Sequence, residues 1–174
     1  MEKKKRYWFR VFILALLFLS VVFVLYMNIT KEDMVKVKIN ESAPNFSLKN
    51  LSGSEHNLEE LKGKVVLLNF WGSWCKPCKN EMPAIQNVYD KYKNNGFEVL
   101  AINIEESEFV VRNYFEQNNL HLPVLLDKQS EVTNLFNVDL LPASFIINRE
   151  GKVVQIHEGE IQEGQLESWV KSNL

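Results

Sequence analysis

Between an apolar run at 65–70 and a helical pattern that follows it stands Trp71-Gly72-Ser73-Trp74-Cys75-Lys76-Pro77-Cys78, which holds both cysteines of this 174-residue chain. A short apolar run fits a strand buried on both faces, and a strand passing at once into a helix is a building unit of α/β folds. The junction also fixes the thiols. They stand at the mouth of the helix, three residues apart and on one face, close enough to bond to each other.

Cys75 falls where the helix begins, so unpaired backbone N–H groups and the positive end of the helix dipole stabilise its thiolate, and Lys76 adds a cation. Cys78, one turn inside, is expected to be more buried and more protonated. Cys75 then serves as the nucleophile toward a disulfide and Cys78 as the thiol that resolves the mixed disulfide. Other uses of a cysteine pair fit less well. A zinc site needs four ligands, and His56, His121 and His157 are single and scattered. Covalent haem attachment needs a histidine after the second cysteine, where Lys79 stands. Two inert core cysteines would not need Pro77 between them or Trp71 and Trp74 beside them.

The first ten residues carry Lys3, Lys4, Lys5, Arg6 and Arg10, and residues 11–27 are apolar apart from Ser20. This reads as a cytoplasmic basic N-terminus at 1–10 and an uncleaved transmembrane signal-anchor at 11–29, with Trp8 and Tyr26 at the interfaces and the rest of the chain outside the cell. A cleaved secretory signal is the rival reading, but residues 26–30 offer no small-x-small cleavage site. A polar stalk follows at 30–40, and one domain at 41–174. Against a total charge of −2, the five basic residues and one acid of the first ten leave −6 for the remainder, which argues against nucleic acid as partner.

Along the domain, residues 46–51 and 55–56 read as a hairpin, with Asn57 and Glu60 capping a short helix to Leu61. The active-site helix is expected to run to Asn95, with Pro83 kinking it and Gly96 ending it. A strand follows at 97–104, then a helix at 107–117 with Val110, Val111, Tyr114 and Phe115 on its apolar side. A strand at 123–126, a helix at 130–136, a hairpin of 144–147 with 153–157, and a helix at 162–171 complete the pattern.

The run 70–78 resembles the active-site segment of thioredoxin-like proteins, and Lys79-Asn80-Glu81-Met82-Pro83 after it resembles the membrane-anchored ResA and TlpA group. Ala43-Pro44-Asn45-Phe46, Leu61-Lys62-Gly63-Lys64 and Leu141-Pro142-Ala143-Ser144-Phe145 agree in order. The likeness covers residues 40–174. It implies an α/β thioredoxin-like fold, a mixed central sheet flanked by helices, with an N-terminal β-hairpin and a helix–strand insertion. It implies a cis peptide bond at Pro142, with Leu141 presenting free backbone groups to an extended substrate. Substrate contacts are expected at Trp74, Pro77, Leu141 and Pro142. The resemblance further implies a thiol-disulfide oxidoreductase without a bound cofactor, apocytochrome c as acceptor, and a CcdA-type membrane thiol carrier as electron donor.

Two positions depart from the wider family. Ala143 stands where threonine is common, removing a hydroxyl that could touch substrate, and Asn69 replaces the buried aspartate of thioredoxin itself. Glu81, one turn beyond Cys78, is therefore the expected proton carrier, matching a functional glutamate of the ResA group. The competing reading makes it a solvated acid of the first helical turn. Glu105, Glu106 and Glu108 read as helix-dipole partners on a solvated face, and the three histidines as surface or loop residues. Alternative functions are a reductase or oxidase with another target, such as a spore-envelope protein, a peroxidase lacking the usual threonine and arginine setting, and a copper-delivery module, which expects wider cysteine spacing and a nearby histidine. Direction depends on a potential between roughly −270 and −120 mV, which sequence does not set.

Overall fold

A computed structural model describes residues 2–29 and 37–174, which fall into two units. In the first, α1 (Glu2–Ile29) contains the stretch Tyr7–Val24, apolar enough to cross a membrane and, at 18 residues, about 27 Å long. The bilayer core is about 30 Å thick, so a crossing by this helix would draw on residues flanking that stretch. The helix starts within the basic segment, earlier than the predicted anchor. Ser20, the polar interruption, donates its hydroxyl to the Leu17 carbonyl at 2.8 Å, which satisfies it within the helix. Most of the predicted stalk, residues 30–36, lies outside the described residues.

The second unit is built on a seven-stranded sheet. Its strands are β1 (Ser47–Asn50), β2 (Glu55–Asn57), β3 (Val65–Trp71), β4 (Phe97–Ile104), β5 (Val124–Asp127), β6 (Ala143–Ile147) and β7 (Val153–Glu158), in the order β2-β1-β5-β4-β3-β6-β7. β3, β4 and β5 run parallel, while β6, β7 and the β1–β2 hairpin are antiparallel to their neighbours. The helices are α2 (Lys76–Tyr92), α3 (Glu108–Gln117), α4 (Glu131–Leu135) and α5 (Glu163–Asn173). This is the expected thioredoxin-like architecture, with the hairpin at one edge.

Strand alternation divides the core in two. Val65, Leu67 and Trp71 of β3 join Val99 and Ala101 of β4 under α2, α3 and α5, where Ile85, Val111, Phe115 and Leu166 meet them. Val66, Leu68 and Phe70 face the other side, against Phe46, Leu58, Val132 and Phe136. Every residue of β3 is buried, as a central strand covered on both faces requires.

Several boundaries differ from the sequence reading for local reasons. α2 ends at Tyr92, and its last predicted turn is a 3-10 turn, Lys93–Asn95, closed by Gly96 at φ 94°. Pro83 lies inside α2, which continues through it as one helix. The segment before Lys62 is also a 3-10 turn, Leu58–Leu61, in which Asn57 Oδ1 accepts from Glu59 N at 2.9 Å and Glu60 takes no part. The tighter turn brings a different amide under the capping oxygen. On α3, Val110 is exposed, because Val111 and Phe115 alone point squarely into the core, and Tyr114 lies between them against Trp71.

Candidate active site

The end of β3 delivers the chain to the mouth of α2, and Cys75 is the N-cap residue of that helix, with extended backbone at φ −87° and ψ 110°. Its Sγ accepts a hydrogen bond from Cys78 N at 3.3 Å, the contact by which a capping side chain satisfies a free helical amide. Pro77 is exposed in the first turn, where its missing N–H costs nothing. No acid occupies that turn, so the positive end of the dipole acts on sulfur without a local counter-charge. The two cysteines form a disulfide, with Cα atoms 5.3 Å apart. Cys75 retains 7% of its surface and Cys78 none, the asymmetry expected from the spacing.

Glu81 lies one turn along α2 from Cys78 and is 1% exposed, so it is not the solvated acid of the competing reading. Asn69 Nδ2 donates to Oε1 at 2.7 Å, and Ile161 N donates to Oε2 at 2.9 Å. Asn69 shares a face of β3 with Leu67 and Trp71 and therefore points beneath α2. It also pairs with Ser144 across the β3–β6 ladder, where it donates to Ser144 Oγ at 3.0 Å. β3 and the loop before α5 thus converge on one carboxyl group carried by α2, and β6 fixes the β3 donor through Ser144. Burial pushes this group up to about 7; the hydrogen bonds from Ile161 and Asn69 oppose the shift, and the nearby charge of Glu160 adds to it. A carboxyl with that proton affinity changes state near neutrality, as proton transfer to or from a buried thiol requires.

The Phe70–Ala143 pairing carries residues 141–142 to the level where β3 gives way to the cysteine turn. The Leu141–Pro142 bond is cis, as the resemblance implies. Pro142 O accepts from Gly159 N at 2.8 Å, whereas no hydrogen bond among the described residues engages the backbone of Leu141, which is partly exposed. Ala143 is buried at the start of β6.

The turn before Cys75 is more closely held than the sequence suggests. Trp71 is fully buried against Tyr114 and Phe115, with ring centroids 5.1 and 5.6 Å away. Trp74 is 66% exposed, and its indole lies so close over Gly72 that a Cβ there would be 2.7 Å from the ring. Glu106, expected on a solvated face, instead reaches back to accept from Ser73 N at 2.7 Å, Ser73 Oγ at 2.5 Å and Asn103 Nδ2 at 2.7 Å. Glu108 does fit the expectation, exposed in the first turn of α3 and paired with Arg112 at 2.6 Å. No local spacing rule links Glu106 to Ser73; the only cue is the proximity of two adjacent parallel strand ends. The histidines lie apart from the cysteines in their contacts: His56 meets Asn50, His121 N donates to Gln86, and His157 lies near Trp169. Among the described residues, no cluster of histidine, cysteine and acidic side chains could hold a metal ion.

Residues 39–156 match the model of the AhpC/TSA family. Over 170 residues the chain is 44% identical to thiol-disulfide oxidoreductase ResA of Bacillus thuringiensis subsp. konkukian, covering 97% of each protein. It is 37% identical to the ResA of Bacillus subtilis, covering 98% of this chain and 94% of that one. Among solved structures, a thiol:disulfide interchange protein DsbE described as putative, from Chlorobium tepidum, superposes with a TM-score of 0.74 at 31% identity, over 79% of this chain and 99% of that one. StoA from Bacillus subtilis superposes with a TM-score of 0.65 at 28% identity, over 73% of this chain and 96% of its own. With its paired cysteines at the helix mouth, the chain belongs to the AhpC/TSA family and, within it, to the ResA-type thiol-disulfide oxidoreductases.

Proposed function

We propose that this chain is a membrane-tethered reductase, N-terminus in the cytoplasm and catalytic domain outside, that opens the disulfide of the haem-binding CxxCH segment of apocytochrome c. The Cys75 thiolate attacks one sulfur of the target, forming a mixed disulfide and releasing the first target thiolate. Cys78 then attacks Cys75 Sγ, releasing the second and closing the Cys75–Cys78 disulfide. An electron pair has passed to the target, and the bridged form is the spent one. A CcdA-type membrane thiol carrier restores the dithiol, because the space outside the membrane favours disulfides and electrons must be brought across.

Glu81 holds the proton that Cys78 sheds before its attack. The observation that carries this mechanism is the seating of Cys78 and Glu81, both buried, one turn apart on α2 while Cys75 alone reaches solvent. Trp74, Pro77, Leu141 and Pro142 form the surface that receives the target chain, and the unengaged backbone groups of Leu141 pair with it as an added strand would. The choice of target rests on likeness to ResA proteins along nearly the whole chain, including α1. The test supplies oxidised apocytochrome c to the reduced full-length chain in detergent micelles and follows free thiols on both proteins. The expected result is loss of the Cys75–Cys78 dithiol with matching gain on the CxxCH segment. If insulin is reduced and apocytochrome c is not, the target is wrong and the exchange chemistry stands.

A further inference from the structure

We propose that Glu106 is the positioning residue of this active site, holding the 72–74 turn so that the exposed face of Trp74 is presented beside Cys75 to an incoming protein disulfide. The inference rests on the disulfide exchange of the family and not on the identity of the target. Glu106 lies in the β4–α3 connection, far from the cysteines in sequence, yet its carboxylate takes three donors, two from Ser73 and one from the fully buried Asn103. Charge-assisted bonds of this kind are stronger than neutral ones, and each here ends on the turn or on the strand beside it. Asn103 stands opposite Trp71 in the β3–β4 register, so the clamp joins the ends of two neighbouring strands.

The backbone is bent to make this reach. Glu105 has φ 57°, a left-handed conformation that a side chain other than glycine adopts at a cost. It is held there by Glu105 N donating to Asp127 O at 3.1 Å and by Ser130 Oγ donating to Glu105 Oε1 at 2.6 Å. The reversal turns the next residue, Glu106, back toward Ser73. On the receiving side, Cys75 N donates to Gly72 O at 3.1 Å, which closes the turn, and the indole of Trp74 rests on the bare Cα of Gly72. Ser73 is the tip between these two contacts. Release of Ser73 would free Trp74 while leaving Cys75 seated on the helix by its own cap contact with Cys78 N.

A merely structural role and a positioning role predict different kinetics. A small aromatic disulfide, 5,5′-dithiobis(2-nitrobenzoic acid), needs only Cys75, whereas insulin must also find the surface around it. Wild type, Glu106→Ala and Glu106→Gln, each full length in detergent micelles, are assayed with insulin under turnover, dithiothreitol restoring the dithiol after each exchange, and, pre-reduced and freed of reductant, with the small disulfide in a single turnover. The glutamine keeps an amide oxygen for Ser73 N and Asn103 and an amide NH2 for the Ser73 hydroxyl, so it tests hydrogen bonding apart from charge. For Glu106→Ala we expect kcat/KM on insulin to fall about tenfold, chiefly through KM, and the small disulfide to change by less than about twofold. Glu106→Gln should remain within about threefold of wild type on both. Protection of the Ser73 amide from hydrogen exchange should fall about tenfold in the alanine variant and persist in the glutamine variant. Unchanged insulin kinetics in Glu106→Ala, equal losses on both substrates, or a glutamine variant as poor as alanine each overturn the proposal. Should Glu106→Ala fail to fold, Ser73→Ala removes one bond at a loop position: insulin reduction then falls about threefold under the proposal, and an unchanged rate overturns it.

Discussion

Glu81→Gln separates the charge of the buried carboxyl from its shape. The folded protein holds the Glu81 proton up to about pH 7, against an ordinary value of 4.5, chiefly because burial disfavours the ion. The native state therefore binds more protons than the unfolded chain between these values, and stability from this group is lost as pH rises through the window. At 1.36 kcal/mol per pKa unit, the full excursion corresponds to about 3 kcal/mol. Glutamine matches the protonated carboxyl in size; its oxygen keeps the bond from Ile161 N, and its NH2 is accommodated when the Asn69 amide turns its unpartnered Oδ1 toward it. The variant should match wild type near pH 5, become the more stable of the two by up to about 3 kcal/mol near pH 8, and level off above that. Urea unfolding of the oxidised full-length chain, followed by tryptophan fluorescence across that range, measures the difference directly. Because other titrating groups are common to both proteins, their contributions cancel in the comparison. A stability difference that does not vary with pH would refute the assignment of a neutral-range proton to Glu81.

Asn69→Ala removes the donor to Glu81 Oε1 and the bond to Ser144 in a fully buried setting, and should cost about 1–3 kcal/mol in thermal or urea unfolding. Gly72→Ala places a methyl group against the Trp74 ring. Because that ring is exposed and can swing away, the stability cost should stay below about 1 kcal/mol while insulin reduction falls by about an order of magnitude, a divergence visible by pairing a melting curve with the kinetic assay.

The strand, the cysteine turn and the helix after it were legible because each rests on a local rule: an apolar run, a fixed spacing, a left-handed glycine at 96. β4 at Phe97–Ile104 coincides with its predicted limits for the same reason. The roles of Asn69 and Glu106 were not legible. Asn69 read as a lost acid, and only the alternation of β3, the register with β6 and the direction of α2 together show that a carboxyl from the next element fills the space beside it. Glu106 read as a surface acid because its partner belongs to another loop and its approach depends on a left-handed glutamate, a conformation that no local residue preference announces. Ser130, read as the first residue of a helix, stands just before it at φ 55° and gives its hydroxyl to Glu105. Spacing rules see one turn of helix or one pair of strand residues, and these contacts cross elements.

The division of labour between the sulfurs is tested most directly by trapping. Reduced full-length Cys78→Ala, mixed with a disulfide-containing protein, should accumulate a mixed disulfide on Cys75 that mass spectrometry locates and that a dithiol reductant releases. Cys75→Ala should accumulate none, because the remaining thiol is buried. An adduct on Cys78 of comparable yield, or undiminished turnover by Cys78→Ala, would contradict the account.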